Sequence, residues 1–224
     1  ETNFYRFLIN SKIKKKDQKI ICLTTHGYYS QKLKNHNFEI FHLNLKNYLN
    51  LFLSFFYLVY LTFKYRPKLI NTWMYHSDLL GILIKLLIFP FNVKLIWNIR
   101  CSKMNFHYSG GLTKIIFIIL SRLSFLPNYI SYNSYDGKKF HESKGYKNKN
   151  WFYLPNGIDL NKWKRNKSLK RITKKKFNFK KNDFIVSMIA RNDNQKNFDL
   201  FYKISKSMNN HKEIKFVIFG KGTE

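Results

Sequence analysis

Short apolar runs without clean period-two alternation take turns along this chain with longer stretches of helical spacing. Phe4, Phe7 and Leu8 stand at i, i+3 and i+4, so residues 1–10 read as the later part of a helix, and "KKKDQ" after them as a turn. "KIICLTT" (19–25) reads as a short buried strand, "YYSQKLKNH" (28–36) as a helix and "FEIFHLNL" as a strand. The strongly apolar segment 48–63 predicts a helix stopped by Pro67. "KLINTWMY" is a strand, and "HSDLLGILIKLLIF" (76–89) a helix with Ser77 or Asp78 as its N-cap. "VKLIWNIR" is a strand ending at Arg100, 113–126 a helix, "YISYN" a strand, "SYDGKKFHESKG" a helix closed by Gly145, and "NWFYLPNG" a strand and turn. A further strand (184–190), helix (197–208) and strand (214–219) follow.

Strand and helix in alternation, with apolar strands, predict an α/β fold whose parallel sheets are covered on both faces. Residues 161–182 carry eleven Lys or Arg, no acid and few apolar positions, and read as a basic linker. The expected organisation is a first domain over 1–160, the linker over 161–182, and a second domain beginning at 183 and incomplete at 224. With 224 residues and 45% apolar composition the chain can bury a sizeable core and is not intrinsically disordered.

Composition changes that picture in two places. The net charge is +29, which raises nucleic acid as a partner, but 34 of the 41 basic residues are lysine and only 7 are arginine. Base-edge and phosphate-fork recognition favours arginine. The lysines are scattered beside many Asn, Ile, Phe and Tyr, a compositional bias, so nucleic acid is not the expected partner. Attraction to an anionic membrane stays open, because each lysine near such a surface adds on the order of 1 kcal/mol. Segment 48–63 is shorter than the roughly 20 residues a bilayer span needs, and reads as a buried or membrane-touching helix. Cys22 and Cys101 have no metal-type spacing and read as reduced, buried residues suited to the cytosol.

Ligands of open α/β sheets bind at the carboxyl ends of the strands. The residues there are His76 after one strand, Arg100 after the next, Asn133 and Ser134 after "YISY", Asn156, Gly157 and Asp159 after "FYLP", Arg191 after "FIVSMIA", and Gly220 and Gly222 after "FVIF". His26 follows the first strand and is a weaker candidate. In "MIARNDNQKN" (188–197) an apolar run stops at Arg191, and Lys196 waits before the next helix. Alone, that stretch reads first as a solvated loop at the end of a strand.

Taken in order, "NTWMYHSDLLG", "LIWNIRCS", "LPNGIDLNKW", "IARNDNQKNFDLF" and "VIFGKGTE" resemble the GT-B glycosyltransferases of the group 1 family, family four of that classification. The resemblance implies two Rossmann-like, doubly wound domains with the active site between them, the acceptor on the first and the donor on the second. It implies a retaining transfer from a nucleotide-sugar donor, without a metal or other cofactor, to a cell-surface glycan or lipid-linked acceptor. Peripheral contact at the cytoplasmic face of the membrane would accompany it. Arg191 and Lys196 resemble the family's pair for the departing diphosphate, where arginine offers a planar fork and lysine a point charge. Gly220 and Gly222 resemble its glycine turn near the nucleotide. Asn156, Gly157 and Asp159 resemble a turn that lines the cleft. Relatives carry a histidine where this chain has Arg100, so His76 and Arg100 are the catalytic candidates, although a guanidinium cannot serve as a base. Glu1-Thr2 matches the tail of the family's glycine-rich opening, and its glutamate pair is expected beyond residue 224, which suggests a fragment inactive alone. GT-B nucleotide-sugar epimerases share the implied fold and remain an alternative, as does a non-enzymatic nucleic-acid-binding protein. A dinucleotide enzyme is disfavoured, because "LTTHGYYS" offers one glycine where G-x-G-x-x-G is required.

Overall fold

The structure is a computed structural model and describes residues 2–45, 48–104, 110–193 and 196–222. Glu1, part of the suggested glycine-loop tail, lies outside them, as do Asn194 and Gln195 of the 188–197 stretch. The chain divides into two compact units, Glu1–Ile158 and Asp159–Glu224.

In the first unit the elements are α1 (Thr2–Ile9), β1 (Lys19–Cys22), α2 (Tyr28–Asn35), β2 (Glu39–His42), α3 (Tyr48–Tyr65), β3 (Leu69–Trp73), α4 (Tyr75–Leu87), β4 (Lys94–Ile99), α5 (Gly111–Leu123), β5 (Tyr129–Tyr132), α6 (Tyr135–Ser143) and β6 (Trp151–Tyr153). β1 and β2 pair in parallel, and β3-β4-β5-β6 form a second all-parallel sheet. Alternation along β4 decides where the core sits. Leu95, Trp97 and Ile99 point to one face and, with Ile82 of α4, Ile116, Phe117 and Leu120 of α5, and Ile130 of β5, make the main buried cluster. A second cluster joins Leu58 of α3 to Ile84 and Ile88, so α3 packs beside α4.

The predicted cap of α4 is corrected. Its N-cap is Met74, held at φ 86°, and Ser77 and Asp78 lie inside the helix. Asp78 is fully buried and its carboxyl accepts from the Thr72 hydroxyl at 2.5 Å, so it braces β3 instead of capping. Burial raises its pKa well above the carboxylate range. Gly81 explains how α4 approaches so closely: a Cβ there would sit 2.8 Å from Thr72 Cγ2. The cysteines are also corrected, since Cys22 and Cys101 are half-buried and not fully enclosed.

The outer surface of the helical layer is unusually apolar. Leu53, Phe56, Tyr60 and Phe63 of α3, Leu86 of α4, and Ile115 and Ile118 of α5 are all exposed. No helix among the described residues is long and apolar enough to cross a membrane.

The second unit contains α7 (Lys167–Lys176), β7 (Phe184–Ile189), α8 (Phe198–Ser207) and β8 (Ile214–Phe219), with β7 and β8 parallel. The segment read as a linker therefore carries a helix. Asn166 caps α7 by accepting from Leu169 N at 2.9 Å. Lys174 Nζ ties the helix to the start of β7 by donating to the carbonyls of Lys181 and Asp183 at 2.8 and 2.7 Å.

Candidate functional site

Each unit presents polar residues where its parallel strands end. In the second unit the exits of β7 and β8 are zipped together. Ala190 N donates to Phe219 O at 2.9 Å, and Asn192 N to Lys221 O at 3.0 Å. Gly220 sits inside this zipper: a Cβ on it would lie 1.7 Å from Ala190 O and 2.5 Å from Ala190 C. No side chain fits there, so the glycine follows from the close backbone approach. Gly222 adopts φ 74°, a left-handed conformation glycine tolerates without strain. The zipper brings the Gly220–Gly222 turn beside Arg191 and the residues after it.

Arg191 is largely exposed, and its Nε and Nη2 both donate to Asp193 Oδ2, at 3.0 and 2.8 Å. Lys196 is exposed, and its backbone N donates to Asp193 O at 2.8 Å. Asp193 thus gathers both cationic residues around one turn. Asn197, in the left-handed region at φ 52°, then caps α8 by accepting from Leu200 N. The arrangement offers a guanidinium fork, an ammonium and exposed turn backbone at the carboxyl end of a parallel pair, which suits an anionic ligand. Asp159 opens this unit, and its Oδ1 accepts from Asn161 N and Lys162 N at 3.0 and 3.2 Å, so its carboxylate stabilises its own turn.

In the first unit the exits of β3, β4 and β5 converge on Arg100. Register places Trp73, Asn98 and Ser131 at one level across the sheet, and Arg100, two residues after Asn98, on the same face. The Arg100 guanidinium lies over the Trp73 ring, 4.4 Å from its centroid. Its Nη1 donates to Leu154 O at 2.6 Å and its Nη2 to Asn98 Oδ1 at 3.3 Å. Asn98 Oδ1 also accepts from Ser131 Oγ at 2.7 Å, and Asn98 Nδ2 donates to Asn71 Oδ1 and to Thr72 O. α1 covers Trp73 with Phe4 and Phe7, at centroid distances of 5.1 and 5.8 Å. Burial lowers the pKa of Arg100.

Asn133 Nδ2 donates to Arg100 O at 3.3 Å. Ser134 caps α6 by accepting from Gly137 N at 3.0 Å and pairs with Ser102 Oγ at 3.0 Å. Gly157 O accepts from Arg6 Nη1 at 2.8 Å, but a Cβ at Gly157 would meet nothing within 4 Å, so no crowding requires glycine there. Asn156 is exposed. His76 is half-buried in the first turn of α4, and no hydrogen bond among the described residues joins it to Arg100. His26 packs against His42 at the exits of β1 and β2, the rings tilted by 45° with centroids 4.0 Å apart.

Of the residues marked from sequence, Arg100, Asn133 and Ser134 form one cluster, and Arg191, Lys196, Gly220 and Gly222 form another. Sequence reading missed Trp73, Asn98 and Asp193. The signal for Asn98 was an apolar strand interrupted by asparagine two residues before an arginine, and Trp73 had no comparable local signal. Asp193 stood in view as an acid two residues from Arg191. Among the described residues no group of three or more His, Cys, Asp or Glu is placed to hold a metal ion.

No protein-family model matches the sequence, and no curated protein matches it. Solved structures do resemble this one. HepE of Anabaena, in complex with UDP and glucose, superposes with a TM-score of 0.66 at 13% identity, over 90% of this chain and 61% of that one. A glycosyltransferase from Rickettsia africae gives a TM-score of 0.60 at 12% identity, over 91% of this chain and 60% of that one. Sucrose-phosphate synthase from Thermosynechococcus elongatus gives 0.54 at 11% identity, over 91% and 60%. The chain therefore spans about three fifths of the length of these structures. At such identities the likeness is one of fold, and the fold this chain carries is the α/β, Rossmann-like GT-B fold that these structures share.

Proposed function

We propose that this chain is part of a retaining glycosyltransferase that moves a sugar from a nucleotide diphosphate donor to a cell-surface glycan or lipid-linked acceptor. The observation that carries the reading is the zipped β7–β8 exit, where Gly220 admits no side chain and Arg191 and Lys196 stand on the adjoining turn. A departing nucleoside diphosphate gathers negative charge on its β-phosphate, and fixed cations with backbone N–H groups stabilise it. Arg191 supplies a fork and Lys196 a point charge, so the reaction requires no metal or other cofactor. Asp193 holds the fork in place until phosphate oxygens replace its carboxylate. The fold likeness to HepE, which holds UDP and glucose, supports a nucleotide-sugar donor.

The acceptor belongs to the first unit, with Arg100 and Asn133 as its polar contacts and His76 as the imidazole at the β3–α4 corner. The exposed apolar surface of α3, α4 and α5, on a chain of net charge +29, supports seating on an anionic leaflet at the cytoplasmic face, where a lipid-linked acceptor resides.

Titration of the whole protein with UDP-, GDP- and ADP-sugars tests the donor half. Binding of one of them, weakened about tenfold or more by Arg191→Ala and by Lys196→Ala, is the expected result. In the whole protein the same substitutions cost transfer about 2–4 kcal/mol of transition-state stabilisation. Full binding by both variants refutes the assignment. Incubation of the whole protein with the bound donor and no acceptor separates a transferase from an epimerase, since only the latter yields the donor's epimer.

A further inference from the structure

Among the described residues nothing neutralises the charge of Arg100. Its partners are the Leu154 carbonyl, the Asn98 side-chain amide and the face of Trp73, all uncharged. Among the described residues no ion pair joins Arg100 to a carboxylate. Of the described acids of this unit, Glu39 pairs with Lys19 and Tyr65, Glu142 with Lys138 and Asp78 with Thr72, and Asp17 lies exposed in the turn before β1. Asp136 lies exposed in the first turn of α6. A half-buried guanidinium in that position bears a desolvation cost that an opposite charge offsets.

The surrounding hydrogen bonds are incomplete in the same place. Among the described residues, Arg100 Nε and Trp73 Nε1 are buried donors without a partner, and Asn133 Oδ1 is a buried acceptor without one. All three belong to residues that touch Arg100 or are Arg100 itself. Buried polar groups in native proteins are nearly always paired, so the surroundings of Arg100 offer it neither an opposite charge nor a full set of hydrogen bonds, and its half-exposed guanidinium is the group an incoming anion can pair with. α6 adds to the field, since a Cβ on Gly137 in its first turn would lie 3.2 Å from the backbone oxygen of Cys101, next to Arg100.

We propose that Arg100 selects an acceptor bearing an anionic group, a carboxylate or a phosphate, which pairs with its guanidinium, the Trp73 ring beneath it sensing the pairing. The assignment rests on the reading above that the acceptor binds in this unit. It makes Arg100 a specificity-determining residue: a fixed positive charge discriminates an anionic sugar from its neutral analogue, and lysine in its place keeps the charge but loses the fork.

The test uses the full chain labelled with 5-fluorotryptophan, the Trp73 resonance being assigned from Trp73→Phe. Three probes are titrated: methyl glucuronide for the carboxylate, glucose 1-phosphate for the phosphate, and methyl glucoside as the neutral analogue. The expected result is that at least one anionic sugar moves the Trp73 resonance and binds at least tenfold more tightly than the glucoside. Which one does so identifies the group. Arg100→Gln abolishes the preference, and Arg100→Lys retains part of it. Arg100→Gln also removes the bond to Leu154 O, so its thermal unfolding is followed in parallel, and the lysine variant carries the test if the glutamine variant does not fold. Equal response to all three sugars, no response to either anion, or an undiminished preference in both variants overturns the proposal. If anionic sugars move Trp73 while no nucleotide sugar binds the whole protein, the anion site stands and the transfer reading falls.

Discussion

Lowering the pH should unfold the first unit through one buried imidazole. His141, on α6, is fully buried against Tyr75, Phe117, Tyr132 and Tyr146. Its Nδ1 pairs with Gly137 O at 2.6 Å and its Nε2 with the Tyr75 hydroxyl at 2.8 Å. A carbonyl can only accept, so Nδ1 carries the proton and Nε2 accepts from Tyr75, the arrangement of a neutral ring. Burial pushes its pKa down to about 4 from 6.5. The native state therefore binds fewer protons than the unfolded chain between those values, and stability falls as pH falls. The loss begins near the unfolded value of 6.5 and is complete near 4. At 1.36 kcal/mol per unit, that interval corresponds to about 3 kcal/mol. His141→Gln supplies an amide N–H and a carbonyl to the same two partners without titrating. Urea unfolding followed by tryptophan fluorescence, which reports on buried Trp97, should be run at pH 7.5 and pH 4 on both proteins. Other groups titrate in both proteins and cancel in the difference. The natural chain should lose about 3 kcal/mol more than the variant. An equal loss in the two proteins would refute the claim that a buried neutral imidazole holds the unit together.

Three further perturbations follow from other contacts. Gly220→Ala forces a methyl group into the Ala190 carbonyl, so it should destabilise the second unit by about 3 kcal/mol and abolish nucleotide-sugar binding, read by thermal unfolding and titration. Asp78→Asn should stabilise the first unit as pH rises. Its raised carboxyl pKa gives a contribution present below the unfolded value of 3.8 and lost above it, and the amide relieves that loss; equal unfolding midpoints of variant and natural chain at pH 8 would contradict it. Phe56→Ser with Phe63→Ser, on the exposed face of α3, should cost the unfolding free energy no more than about 2–3 kcal/mol, through the lost ring pairs with Phe52 and Phe91. It should lower co-sedimentation with phosphatidylserine vesicles several-fold, and undiminished co-sedimentation would remove the lipid-facing role from α3.

Much of the architecture was legible in the sequence because local pattern suffices for it. Leu95, Trp97 and Ile99 alternate, and α4 and α5 repeat apolar residues at helical spacing, so element type and parallel pairing follow from burial on one face or two. The α4 cap was misread because Ser77 and Asp78 are good capping types, but the chain turns at Met74 and Asp78 is drawn inward to Thr72. Helix α7 was read as linker because its lysines hide the caps and the Lys174 tether that make it ordered.

For the sites, the sequence alone determined that cations and glycines stand at strand exits, because a strand's end is a local property. Arg191, Lys196, Gly220 and Arg100 were all visible that way. Only the tertiary structure decided what each touches. It placed Gly220 against the Ala190 carbonyl, 30 residues earlier, and tied Arg191 to Asp193. It also laid Arg100 on Trp73 and bound it to Leu154. Most of these contacts join residues distant in sequence, whose meeting depends on sheet register and strand order. A charge's meaning is set by the partners that register supplies, so the uncompensated state of Arg100 could be known only once the strands were paired.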